Sequence, residues 1–144
     1  MANWLLLHYK LPGEPSASRV YIWRKLKRLG AILYQDAAWV LPDSSRTREQ
    51  FQWLAAEIGE MGGEAMVWSA QPAQPGQDES LIRQFTGQLV GPYQAILDEL
   101  RQAGANIEAL SRQYQWMKSR DFFNSEMGRQ VRDALLSARE GYEA

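Results

Sequence analysis

The run Asn3–Tyr9, NWLLLHY, is short and almost wholly apolar, and it stops at LPGEP, which predicts a strand leading into a Pro/Gly loop. Beyond it the spacing changes. Val20, Ile22, Trp23, Leu26 and Leu29 recur three and four positions apart, which predicts an amphipathic helix to about Leu29, with Val20, Trp23 and Leu26 turned inward. Ser16 or Ser18 can cap that helix, and Gly30 can close it in a left-handed conformation. AILYQ and AAWVL then read as two strands joined tightly at Asp36, with Pro42 ending the second. Asp43, Ser44 or Ser45 can open a second helix, whose stripe is Phe51, Leu54, Ala55, Ile58 and Met61 and whose stop is Gly62–Gly63. EAMVWS is a fourth strand.

Strand, helix, strand, strand, helix, strand is the order of the split βαβ motif, so the expected fold class is α+β. It comprises a ferredoxin-like βαββαβ module with an antiparallel four-stranded sheet over residues 1–70, a linker at 71–80, and a C-terminal helical segment at 81–144. The linker QPAQPGQDES is rich in Pro, Gln and Gly. Leu81, Phe85, Leu89, Ile96, Leu97 and Leu100 mark a helix over 80–103, with a kink or break predicted at Gly91–Pro92. Ile107, Leu110, Tyr114 and Met117 mark another helix, DFFNS interrupts, and Val131, Leu135 and Ala138 mark a last one. The first strand is apolar at both parities: Leu5, Leu7 and Tyr9 on one side, Trp4, Leu6 and His8 on the other. Two helices cover only one face of a sheet, so the other face is expected to meet the helical segment or a second subunit, and a homodimer is anticipated.

Charge alters this picture in one place. The net charge is −1, yet residues 1–30 carry six Lys and Arg against one acid, while residues 31–80 carry eight acids against Arg46 and Arg48. The first helix therefore concentrates the positive charge. Arg19, Arg24, Lys25, Lys27 and Arg28 are the candidate residues for binding nucleic acid or an oxyanion. Two plainer readings stand beside that one: a solvated helix face, and pairing with acids of the second helix.

Other chemistry finds little support. With no cysteine, disulfides, thiolate nucleophiles and Cys-type zinc sites are excluded. His8 is the only histidine and lies in a strand of large apolar groups, so it reads as a sheet residue rather than a base or ligand. No cluster has metal-ligand spacing; Glu57 and Glu60 read as the solvated side of a helix. The sequence thus points to no catalytic residues, no metal and no cofactor. No apolar run is long enough to span a membrane, and a cytoplasmic protein without membrane contact is expected. Aromatic side chains could stack on bases, but Trp23, Phe51 and Phe85 fall on the inferred core stripes.

WLLLHYKLP, SRVYIWRKLKRLGA, WVLPDS, GGEA and DFFNS together resemble the amino-terminal domain family of the chromate resistance protein ChrB. The resemblance implies a non-enzymatic transcriptional regulator or accessory factor of chromate resistance, with DNA as a partner and chromate or another oxyanion as the signal. Members it resembles carry a further carboxy-terminal domain, which this sequence does not show. The first half is also similar to the carboxy-terminal domain of PaaX-type repressors and to the small CRISPR-adaptation nucleases. In those nucleases the first strand ends in a metal-holding aspartate, where this chain has HYKLP with Lys10. A lysine cannot supply that carboxylate, which counts against the alternative of a divergent metal-dependent phosphodiesterase. A protein-interaction module docking through the apolar sheet face is the remaining alternative.

Overall fold

The computed structural model describes residues 3–13 and 16–143. The chain divides into two compact units, Met1–Glu79 and Ser80–Ala144. The first contains β1 (Trp4–Lys10), α1 (Ser16–Leu29), β2 (Ile32–Tyr34), β3 (Ala38–Pro42), α2 (Ser45–Glu60) and β4 (Glu64–Ala70). The strands form one antiparallel sheet in the order β2-β3-β1-β4, the arrangement the split βαβ motif requires.

Register assigns the faces. Leu5 lies opposite Leu41 and Ser69, Leu7 opposite Trp39 and Val67, and Tyr9 opposite Ala65. Leu5, Leu7, Trp39 and Leu41 are buried, and α2 packs against β1 and β4. Burial raises the Tyr9 hydroxyl above its ordinary pKa, with a hydrogen bond to Trp39 opposing. The opposite face carries Trp4, Leu6, His8, Val40, Met66 and Trp68; Trp4 and Val40 are buried, whereas His8, Met66 and Trp68 are exposed. The Trp4 indole N–H donates to Asp78 at 3.1 Å, so burying that ring strands no polar atom.

Turn chemistry explains the element ends. Gly30, at φ 85, stops α1 as expected, with the Gly30 and Ala31 amides donating to the Lys27 and Leu26 carbonyls. Ser16 and Ser18 both lie inside the helix rather than ahead of it. Of the three candidates at α2, Ser44 is the cap: its side chain accepts from the Thr47 amide, and Thr47 accepts from the Ser44 amide in return. Between β2 and β3, Ala37 N–H donates to the Tyr34 carbonyl, and Gln35 and Asp36 sit at φ 51 and 55. That is a type I′ turn built from two residues with a side chain.

The second unit holds most of α3 (Gln77–Leu100), α4 (Ile107–Lys118) and α5 (Glu126–Glu143). Their shared core is Leu89, Tyr93, Ile96, Leu110, Tyr114, Met117, Val131 and Leu135. Two expectations need correcting. First, α3 begins at Gln77, inside the Pro/Gln-rich stretch, where Asp78 and Glu79 in its first turn favour a helix start. Second, the helix is not broken at Gly91–Pro92, since α3 continues through both residues. Both residues are exposed, while Leu89, Tyr93 and Ile96 are buried. Burying side chains of this size contributes ~1.5–3 kcal/mol each, which together outweighs the ~3 kcal/mol cost of an interior proline.

DFFNS closes this core. Asp121 is buried and accepts from the Tyr93 hydroxyl (3.0 Å), the Ser125 amide (2.9 Å) and the Ser125 hydroxyl (2.7 Å). Phe122 and Phe123 place their rings 5.8 and 6.1 Å from that of Phe85.

Candidate nucleic-acid interface

Only a narrow stripe of α1 faces inward. Ile22 and Leu26 are buried and Leu29 is half-buried, whereas Val20 is 45% and Trp23 49% exposed. Of the residues expected to turn inward, Leu26 does so, whereas Val20 and Trp23 do not. The two stripes share Leu26 and diverge to either side of it at about 100° per residue, and the fold buries the side with Ile22 and Leu29.

The correction sorts the five candidate cations. Arg24 and Lys27 share the outward side with Val20 and Trp23, and the Lys27 ammonium stands 5.6 Å from the centre of the Trp23 ring. Arg28 and Lys25 point toward α2. Arg19 donates to the Gly13 carbonyl at 3.2 Å, which ties it to the loop after β1. The structure therefore does not gather all five on one surface.

Lys25 is a structural cation. Its ammonium lies 2.6 Å from the Glu57 carboxylate and 4.8 Å from the centre of the Tyr21 ring. The Glu57 hydrogen bond raises the Lys25 pKa, and Lys25, against some desolvation, lowers that of Glu57. Glu57 is thus half-buried and paired across α1 and α2 instead of merely solvated. Beside this pair runs an open groove of about 360 Å³ lined by Lys25, Arg28, Arg46, Glu49, Trp53 and Glu57, among others. Its lining mixes three cations with two carboxylates, so it does not concentrate one sign of charge. The outward side of α1 carries cations without intervening acids.

Trp23, expected on the core stripe, is exposed instead and joins the candidate residues. An exposed indole beside Lys27, on a side of the helix that also carries Arg24, combines a stacking surface with phosphate-seeking charge, the pairing that single-stranded and groove-bound nucleic acids exploit. The available signal was the stripe Val20, Trp23, Arg24, Lys27 at spacings of three, one and three, which competes with Ile22, Leu26, Leu29 for the inward side.

Lys10 ends β1 opposite Glu64, and His8 is exposed beside Met66. Among the described residues no group of three or more His, Asp or Glu side chains is placed to hold a metal ion. Among them too, no helix is long and apolar enough to cross a membrane.

Comparison with known proteins gives two similarities. The family model described as Protein ChrB, N-terminal, matches residues 19–108, a span that starts at the basic helix and ends at the beginning of α4. A curated protein named Protein ChrB, from Cupriavidus metallidurans, is 36% identical over 75 residues, which make up 52% of this chain and 23% of that protein. The matched part thus spans under a quarter of that relative's length. No solved structure matches the chain.

Proposed function

Because the chain belongs to the ChrB amino-terminal family, we propose that it is a regulatory or accessory protein of chromate resistance that contacts DNA through the outward side of α1. The observation that carries this reading is the exposed Trp23 with the Lys27 ammonium over its ring, on a side of the helix that also carries the exposed Arg24. Arg28 extends the cationic surface toward α2. Lys25 holds the helix in place through Glu57 instead of meeting the ligand. The role is non-catalytic, and it puts the protein in the cytoplasm with the DNA. Phosphate contacts position a protein on the duplex and carry no sequence information, so base discrimination falls to Trp23 and to DNA shape.

Chromate or another tetrahedral oxyanion is the proposed signal. Guanidinium groups that bond phosphate oxygens suit such an anion equally well, so signal and DNA would compete for Arg24 and Arg28.

Fluorescence anisotropy with duplex DNA from upstream of chromate-resistance genes tests the reading. Arg24→Ala with Lys27→Ala should weaken binding about tenfold or more, and Trp23→Ala should weaken it further. Lys25→Ala should change it much less. Equal affinity for the Arg24/Lys27 double variant and the parent would overturn the assignment of this surface.

A further inference from the structure

β4 is an edge strand of the sheet, joined to β1 and open on its other side. All seven of its residues pair one-to-one with β1, so no bulge turns the edge away. Its sequence, EAMVWSA, contains no lysine, arginine, proline or glycine. Long, flat, apolar edges are templates for further strands, and proteins that leave them bare in the monomer usually cover them in an assembly. Met66 and Trp68 are 54% and 50% exposed on the sheet face that also carries the buried Trp4 and Val40.

We propose that β4 pairs with β4 of a second copy of this chain, antiparallel about a two-fold axis at Val67, so that two four-stranded sheets become one. The strand is self-complementary in that register. Val67 meets Val67, each Met66 meets the other copy's Trp68, Ala65 meets Ser69, and Glu64 meets Ala70. No like charges stand opposite each other, and the two Met–Trp pairs fall on the same face, where cross-strand contacts stabilise a sheet. Sliding the axis to Met66 or Trp68 leaves two residues at the end of each strand unpaired and breaks both Met–Trp pairs. An edge of seven residues offers less than the roughly 1,200–2,000 Å² of a permanent interface, so the dimer is concentration-dependent. The inference rests on the sheet alone and holds whether or not α1 binds DNA.

Sedimentation velocity on the whole chain, without DNA, across a wide concentration range tests it. The parent should shift from monomer to dimer as concentration rises. Met66→Lys with Trp68→Lys places lysine opposite lysine twice and should weaken association about tenfold or more. Met66→Lys with Trp68→Glu places lysine opposite glutamate in the Val67 register and should restore most of it. Circular dichroism checks that each variant is folded. Should a variant fail to fold, hydrogen exchange on the parent decides, since protection of the β4 amides should rise with concentration. A parent that stays monomeric, a dimer indifferent to the double lysine change, absence of rescue in a folded Lys/Glu variant, or β4 protection independent of concentration would each overturn the proposal.

Discussion

At Gly63 the chain has no room for a side chain. A Cβ there would stand 2.5 Å from the Lys10 carbonyl oxygen and 2.9 Å from both Ile58 and Leu11, and the closest of these is backbone that cannot swing aside. Gly63→Ala should therefore destabilise the first unit by ~2 kcal/mol or more, read as a lower denaturant midpoint with an unchanged slope. The hairpin between β2 and β3 offers the opposite case. Gln35 and Asp36 both hold positive φ, a conformation that asparagine and glycine adopt at lower cost. Gln35→Asn combined with Asp36→Gly should raise stability by ~1 kcal/mol, measured by the same denaturant titration. Gly63 was legible as a helix stop, since paired glycines after an apolar stripe signal one. The close approach of Lys10 was not, because it is a contact across the sheet that no local pattern encodes.

At the scale of elements, α1 shows where sequence reading reached its limit. Its extent and its stop at Gly30 follow from the three-and-four spacing and from glycine's access to positive φ. Its orientation does not, because Val20–Trp23–Leu26 and Ile22–Leu26–Leu29 are both valid helical stripes, and the sheet's shape selects the second. The Lys25–Glu57 link was one of several pairings the charges allowed, and only the packing of α1 beside α2 decides among them. Its pH dependence follows from the shifts. Glu57, held below its ordinary pKa, contributes stability above the unfolded value and loses it as pH falls through the folded one. Lys25, held above its ordinary pKa, contributes below its unfolded value and loses that only as pH rises through the raised one. A double-mutant cycle on Lys25 and Glu57 should thus give ~0.5 kcal/mol of coupling at neutral pH, since the pair is partly solvated, and none well below pH ~4. Coupling that persists in acid would contradict the pairing. In the second unit, Asp121 joins Tyr93 of α3 to the start of α5, and Gly128 leaves space for its carboxylate. Asp121→Ala should cost ~1–3 kcal/mol by leaving the Tyr93 hydroxyl and the Ser125 amide without their buried partner, measured by thermal or denaturant unfolding.

For the whole molecule, the segments that carry the family resemblance turn out to be mostly architectural. WVLPDS is the end of β3 and the cap of α2, GGEA is the turn and start of β4, and DFFNS is the Asp121 junction. They make the fold recognisable without revealing chemistry, which is why the α+β architecture was readable in the sequence and the proposed binding surface was not. The surface proposal instead rests on SRVYIWRKLKRLGA, where the structure separates a bracing lysine from the exposed Arg24 and from Lys27, whose ammonium stands over the exposed Trp23. The most direct measurement of that claim is the slope of log affinity for duplex DNA against log salt concentration, for the parent and for Arg24→Ala with Lys27→Ala. Two lost phosphate contacts should make the slope shallower by about 2. A double variant with the parent's affinity and the parent's slope would show that this side of α1 does not meet DNA.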